Sequence, residues 1–226
     1  MKRNLFLTFS FLLFFTLFSS CQKEPIRVAC VGDSITYGSG IENRDKTYPA
    51  VLNNLLGSKY DVRNFGVSGA TNLHKGDKPY VTLQAYKDAL AFNPDIVVIK
   101  LGTNDSKSYN WDVNKEDFKA DLTALIDSFR ALPAHPEIFL CLPAKAYRFN
   151  FNIRDEVIFN EIIPQIKQVA KDKKCRLIDL YKITSDMAEN FPDGIHPNEQ
   201  GAEIIARTIA DYITEWETAS LLIHSL

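Results

Sequence analysis

At 226 residues the chain suits one α/β domain, large enough to bury a core without a disulfide or metal. Its 46% hydrophobic and 24% charged residues are ordinary for a globular protein. A net charge of −2, with no basic stripe and no polybasic run, argues against nucleic acid and against an anionic membrane surface as partners.

Residues 1–20 read as a secretory signal: Lys2 and Arg3 form a short positive region, Leu5 to Phe18 is almost wholly apolar, and Ser19 and Ser20 are small. The apolar run is short for a membrane span and lacks a following positive flank. Phe18-Ser19-Ser20-Cys21 resembles a bacterial lipobox, with Phe18 where Leu is usual. That likeness implies export to the cell envelope and a lipid on Cys21 as the only membrane attachment, with residues 21–25 as a tether. Cys30, Cys141 and Cys175 then remain, an odd number in strand-like runs, which reads as buried free thiols.

After the tether, residues 26–214 read as the domain and 215–226 as a C-terminal tail. Ile26 to Val31 is a buried strand, followed by a polar loop from Thr36 to Thr47. Tyr48 to Leu56 has helical apolar spacing, and Gly57 can end it. Tyr60 to Val67 is a second strand and Pro79 to Phe92 a helix. Asp95 to Leu101 is apolar on consecutive positions, as a strand covered on both faces should be. A helix follows over Asn114 to Leu132, then a strand over Glu137 to Leu142. Ile153 to Lys171 reads as a helix bent near Pro164, and Cys175 to Leu180 as a fifth strand. Pro197 suits the first position of a last helix, with Ile204, Ile205, Thr208, Ile209, Tyr212 and Ile213 as its buried stripe. Alternating strands and helices predict a three-layer α/β/α, flavodoxin-like fold with five parallel strands in the order 2-1-3-4-5.

In such a sheet, ligands sit outside the carboxyl ends of the strands. The segments there are Gly32-Asp33-Ser34, Gly66-Val67-Ser68-Gly69, Gly102-Thr103-Asn104-Asp105 and Pro143-Ala144-Lys145, with Asp193-Gly194-Ile195-His196 before the last helix. They hold what acyl transfer needs. Ser34 can attack, His196 can take its proton, and Asp193 can orient the imidazole. The N–H groups of Ser34 and Gly69 and the amide of Asn104 can hold an oxyanion. Ser68 is a rival nucleophile, but its surroundings fail the Gly-x-Ser-x-Gly elbow pattern. Asp33 and Asp105 suit structural roles in tight turns. No C-x-x-C pair, His cluster, Gly-x-Gly-x-x-Gly or P-loop calls for a metal or cofactor.

These blocks, in this order and spanning about residues 26 to 213, resemble the SGNH, or GDSL-type, hydrolase superfamily, with Ile35 where the GDSL name has Leu. The resemblance implies Ser34, Gly69, Asn104 and His196 in the four named roles and Asp193 completing a triad. Trp111, Tyr147 and Arg148 stand among aromatic, amide and basic residues and are candidate sugar contacts. The domain is similar to secreted carbohydrate O-acetylesterases of that superfamily, which implies O-deacetylation of glycans. Two alternatives stay open: a lysophospholipase or thioesterase for longer acyl chains, and a non-catalytic, glycan-binding lipoprotein.

Overall fold

Among residues 24–224, which the computed structural model describes, five segments form strands: β1 (Ile26–Gly32), β2 (Tyr60–Gly66), β3 (Ile96–Lys100), β4 (Glu137–Cys141) and β5 (Arg176–Ile178). They pair in parallel as one sheet of order β2-β1-β3-β4-β5. Successive side chains leave a strand on opposite faces. Ala29, Val31, Val97, Ile99, Ile138 and Leu140 enter one core, while Val28, Cys30, Ile96, Val98, Phe139 and Cys141 enter the other. Both faces of the inner strands are covered, which is why β3 and most of β1 and β4 are continuously apolar, whereas edge strand β2 carries Asp61, Arg63 and Asn64.

The covering elements are α1 (Ser34–Tyr37), α2 (Tyr48–Leu56), α3 (Gln84–Ala91), α4 (Ser108–Asn114), α5 (Phe118–Arg130), α6 (Asp155–Val157), α7 (Ile163–Asp172), α8 (Leu180–Ile183) and α9 (Glu199–His224). Helices α3, α5 and α7 bury Ala89, Leu122, Phe129 and Ile166 on one face; α2 and α9 bury Leu52, Ile205 and Ile209 on the other. Helix α2 ends where Gly57 takes φ +73° and its N–H bonds the Asn53 carbonyl at 3.0 Å.

Several boundaries differ from the sequence reading. The helix expected over 79–92 is a 3₁₀ turn at Tyr80–Thr82 followed by α3. The helix expected from Asn114 starts earlier, as α4, and reaches α5 through a 3₁₀ turn at Lys115–Asp117. The bend expected at Pro164 is a π turn at Ile158–Ile162, just before Pro164, which is the second residue of α7 and has no N–H to give to the continuing ladder. Strand β5 stops early because the Asp179 side chain accepts the Lys182 N–H at 2.9 Å and starts α8. Helix α9 starts at Glu199, not Pro197, because Asn198 caps it, its Oδ1 accepting the Gly201 N–H at 2.9 Å. Its buried stripe is Ala202, Ile205, Ala206, Ile209, Ala210 and Ile213; Tyr212 is exposed.

The expected tail from 215 is a continuation of α9 to His224. The signal at 1–20 and the lipid site at Cys21 lie outside the described residues; of the tether, Glu24 and Pro25 are described and exposed. No helix among the described residues is long and apolar enough to cross a membrane. Cys30, Cys141 and Cys175 are free thiols, the first two buried.

Candidate active site

Ser34 opens α1 directly after β1, at the carboxyl edge of the sheet. Asp33 caps that helix, its Oδ1 accepting the Ile35 N–H at 3.0 Å. Gly38 ends the helix after one turn at φ +90°. The turn packs on Gly66 at the end of β2, where an added Cβ would fall 2.3 Å from the Tyr37 nitrogen. Only glycine allows that approach.

The His196 imidazole reaches Ser34 from the loop before α9. Its Nε2 lies 2.8 Å from Ser34 Oγ, and its Nδ1 lies 2.6 Å from Asp193 Oδ2. A carboxylate only accepts, so Nδ1 carries the proton and Nε2 is left to accept the serine hydroxyl. Asp193 Oδ1 also accepts the N–H groups of Ile195 and His196, at 2.8 and 2.7 Å. Partial burial alone would raise the Asp193 carboxyl, but those N–H groups and the imidazole outweigh it and hold the carboxyl below its ordinary range.

Gly69 and Asn104 line the same cleft as Ser34 and His196. Gly69 has φ +84°, which glycine tolerates. Ser34 is in the first turn of its helix, so its N–H lies outside the helical ladder. The Asn104 amide donates one hydrogen to the Ala70 carbonyl at 3.2 Å, which fixes its plane and leaves a second hydrogen. The three residues expected to hold an oxyanion thus line one cleft.

Two buried side chains that sequence reasoning misses or leaves as turn residues support this edge. Lys100, at the end of apolar β3, is fully buried and donates to Asp33 Oδ1 and Oδ2 at 3.1 and 3.0 Å and to Thr103 Oγ1 at 2.7 Å. A lysine closing an otherwise apolar strand is the available signal. Asp105 accepts the N–H groups of Leu73 and Asn72 at 2.8 and 3.1 Å, in the loop that follows Gly69. Burial pushes the Asp105 carboxyl up to about 7, against the pull of those N–H groups.

Other candidates lie elsewhere. Trp111 is not a cleft residue: it is 1% exposed, packs edge-on against Phe118 and donates its indole N–H to Glu161 at 2.8 Å. Tyr147 lines a neighbouring cavity and not the Ser34 cleft, its hydroxyl donating to the Thr184 carbonyl and accepting the Met187 N–H. Arg148 is exposed and packs against Gly194, beside a neighbouring cavity. Ser68 does line the cleft, but its hydroxyl pairs with Ser39 at 2.7 Å and not with His196. The cleft, about 260 Å³, is completed by Ser39, Lys107, Phe151 and Ile153. Among the described residues, no group of three or more His, Cys, Asp or Glu could hold a metal ion.

The GDSL-like Lipase/Acylhydrolase family model matches residues 30–204. The chain is 48% identical over 208 residues to an acetylxylan esterase of Xylanibacter ruminicola, covering 84% of this chain and 43% of that protein. The chain thus spans less than half the length of that relative. Among solved structures, an acetyl xylan esterase superposes with TM-score 0.64 at 23% identity, covering 83% of this chain and all of that one. A carbohydrate acetylesterase from Sinorhizobium meliloti superposes with TM-score 0.68 at 20% identity, covering 84% of this chain and 99% of that one. At these identities the two structures speak for the fold.

Proposed function

The chain belongs to the GDSL-like lipase/acylhydrolase family, and from that premise we propose that it is a serine esterase removing acetyl groups from carbohydrate hydroxyls. The observation that carries this reading is the hydrogen-bonded line from Ser34 through His196 to Asp193, opening on a small cleft. His196 Nε2 takes the Ser34 proton as Oγ attacks the ester carbonyl. The resulting oxyanion lies against the N–H groups of Ser34 and Gly69 and the Asn104 amide. Collapse breaks the bond to the sugar oxygen, which takes the proton from His196 and leaves as a hydroxyl, with the acetyl group on Ser34. Water, deprotonated by the same nitrogen, then releases acetate and restores Ser34. Asp193 stays ionised and stabilises the imidazolium.

The acetylxylan esterase relative supports an acetylated glycan as substrate, and a cleft of about 260 Å³ suits a short acyl group. Acetate release from acetylated xylo-oligosaccharides tests the reading. Ser34→Ala should reduce it by about 10⁴- to 10⁶-fold with folding intact. Near-normal activity in that variant would remove Ser34 as nucleophile. Preference for octanoyl over acetyl esters would instead favour the long-chain reading, and failure of a fluorophosphonate to label Ser34 would favour a binder.

For location, the reading is export by residues 1–20 and a lipid on Cys21 at the bacterial envelope. Metabolic labelling with a fatty-acid analogue should mark the wild type and spare Cys21→Ala. Equal labelling of both would rule out that anchor.

A further inference from the structure

The segment between β4 and α6 passes over the His196 end of the cleft. It exposes two aromatic rings, Phe149 at 75% and Phe151 at 53%. The Phe151 ring lies 5.5 Å from the His196 ring, inclined at 58°. Its backbone is unusual: Phe151 and Asn152 both take left-handed conformations, at φ +51° and +61°. Such conformations are unfavourable for phenylalanine, though asparagine tolerates them. They are held by Asn150, whose Oδ1 accepts the Phe151 N–H and whose carbonyl accepts the Ile153 N–H, both at 2.9 Å. Asn150 Nδ2 also donates to the Asp193 carbonyl at 3.1 Å, so the segment is fastened to the loop that carries Asp193 and His196.

Core packing does not explain this arrangement, because the ring it positions is half in solvent. Ile153 borders both the Ser34 cleft and an adjoining cavity of about 310 Å³ lined by Phe149. We propose that Phe151 determines specificity, stacking on the sugar ring whose acetyl group reaches Ser34, with the cavity beside Phe149 taking the next sugar of the chain. The inference rests on the carbohydrate-ester reading. An exposed aromatic face gains when the C–H face of a sugar displaces water from it, and a ring carried on a backbone already fixed loses less entropy on binding.

The test compares acetylated xylotriose with ethyl acetate, which has no ring to stack. Phe151→Ala should lower the ratio of kcat/KM for xylotriose ester over ethyl acetate about tenfold, mainly through KM, and Phe151→Trp should restore it. Thermal melting checks that both variants fold. An unchanged ratio overturns the inference, as does a parallel fall on both esters, which would make Phe151 a support for His196. Wild-type protein that cleaves ethyl acetate but not the xylotriose ester overturns the carbohydrate reading and this inference together. Wild-type protein that cleaves both, with an unchanged ratio in Phe151→Ala, overturns this inference alone.

Discussion

Asp33 and Lys100 show how much of the Ser34 turn depends on residues that never touch substrate. Both are wholly buried, and the lysine bridges both carboxylate oxygens while the same carboxylate caps α1. A buried ion pair adds little net stability, but removing one partner leaves a charge stranded in the core. Lys100→Met should therefore cost about 3–5 kcal/mol in chemical denaturation. Adding Asp33→Asn should recover part of that, because the stranded charge is gone and asparagine still offers a capping oxygen. A Lys100→Met variant within about 1 kcal/mol of wild type would mean that water or a neighbouring group compensates Asp33. Ser34, Asp193 and His196 are legible in the sequence because their residue types and order carry chemistry. Lys100 is not, because its role depends on β1 and β3 lying side by side, which no local pattern states.

Each expected strand overlaps an observed one, and the inner strands are legible for a physical reason: double burial leaves continuous apolar runs. Helix ends are less so, since caps such as Asn198 and Asp179 are polar residues that resemble loop. Trp111 misleads because a large aromatic beside a motif looks the same in sequence whether it faces solvent or core. Phe151 falls in an aromatic stretch that the sequence marks as a whole, but its left-handed backbone, which sets it beside His196, leaves no mark on composition. The end of α9 is another such case, and it is testable. Trp216 packs edge-on against Phe139, and Glu217 accepts from Tyr60 at 2.8 Å and pairs with Lys59. A chain ending at Thr214 loses an aromatic pair and charged hydrogen bonds, together worth about 3 kcal/mol. At about 2–4 °C per kcal/mol for a domain of this size, calorimetry should find Tm lower by about 6–12 °C. A shift below about 2 °C would show that the end of α9 is dispensable to the fold.

Across the whole molecule, the carboxyl edge of the sheet buries two carboxyl groups, Asp33 and Asp105, over one lysine. Lys100 answers Asp33, and among the described residues no ion pair includes Asp105. Its carboxyl, pushed up to about 7 by burial, keeps a proton that the unfolded chain has released above about pH 4. The folded state then binds more protons than the unfolded one between about pH 4 and 7, so this group's contribution to stability is full below that window and falls as pH rises through it. Asp95, Asp193 and Glu161 act in the opposite sense, since their carboxyls are held below the ordinary range. Their contribution is present above that range and lost in acid. The melting curve of the wild type alone mixes both effects, so the informative quantity is a difference. Asp105→Asn lowers Tm at acid pH, because the amide nitrogen cannot accept one of the two N–H groups. The gap should narrow steadily from about pH 5 to 8 as the wild type loses what Asp105 contributes and the variant does not. A gap constant across that range would mean that Asp105 is already ionised at its acid end, with the N–H groups of Asn72 and Leu73 enough to hold a bare carboxylate beneath the site.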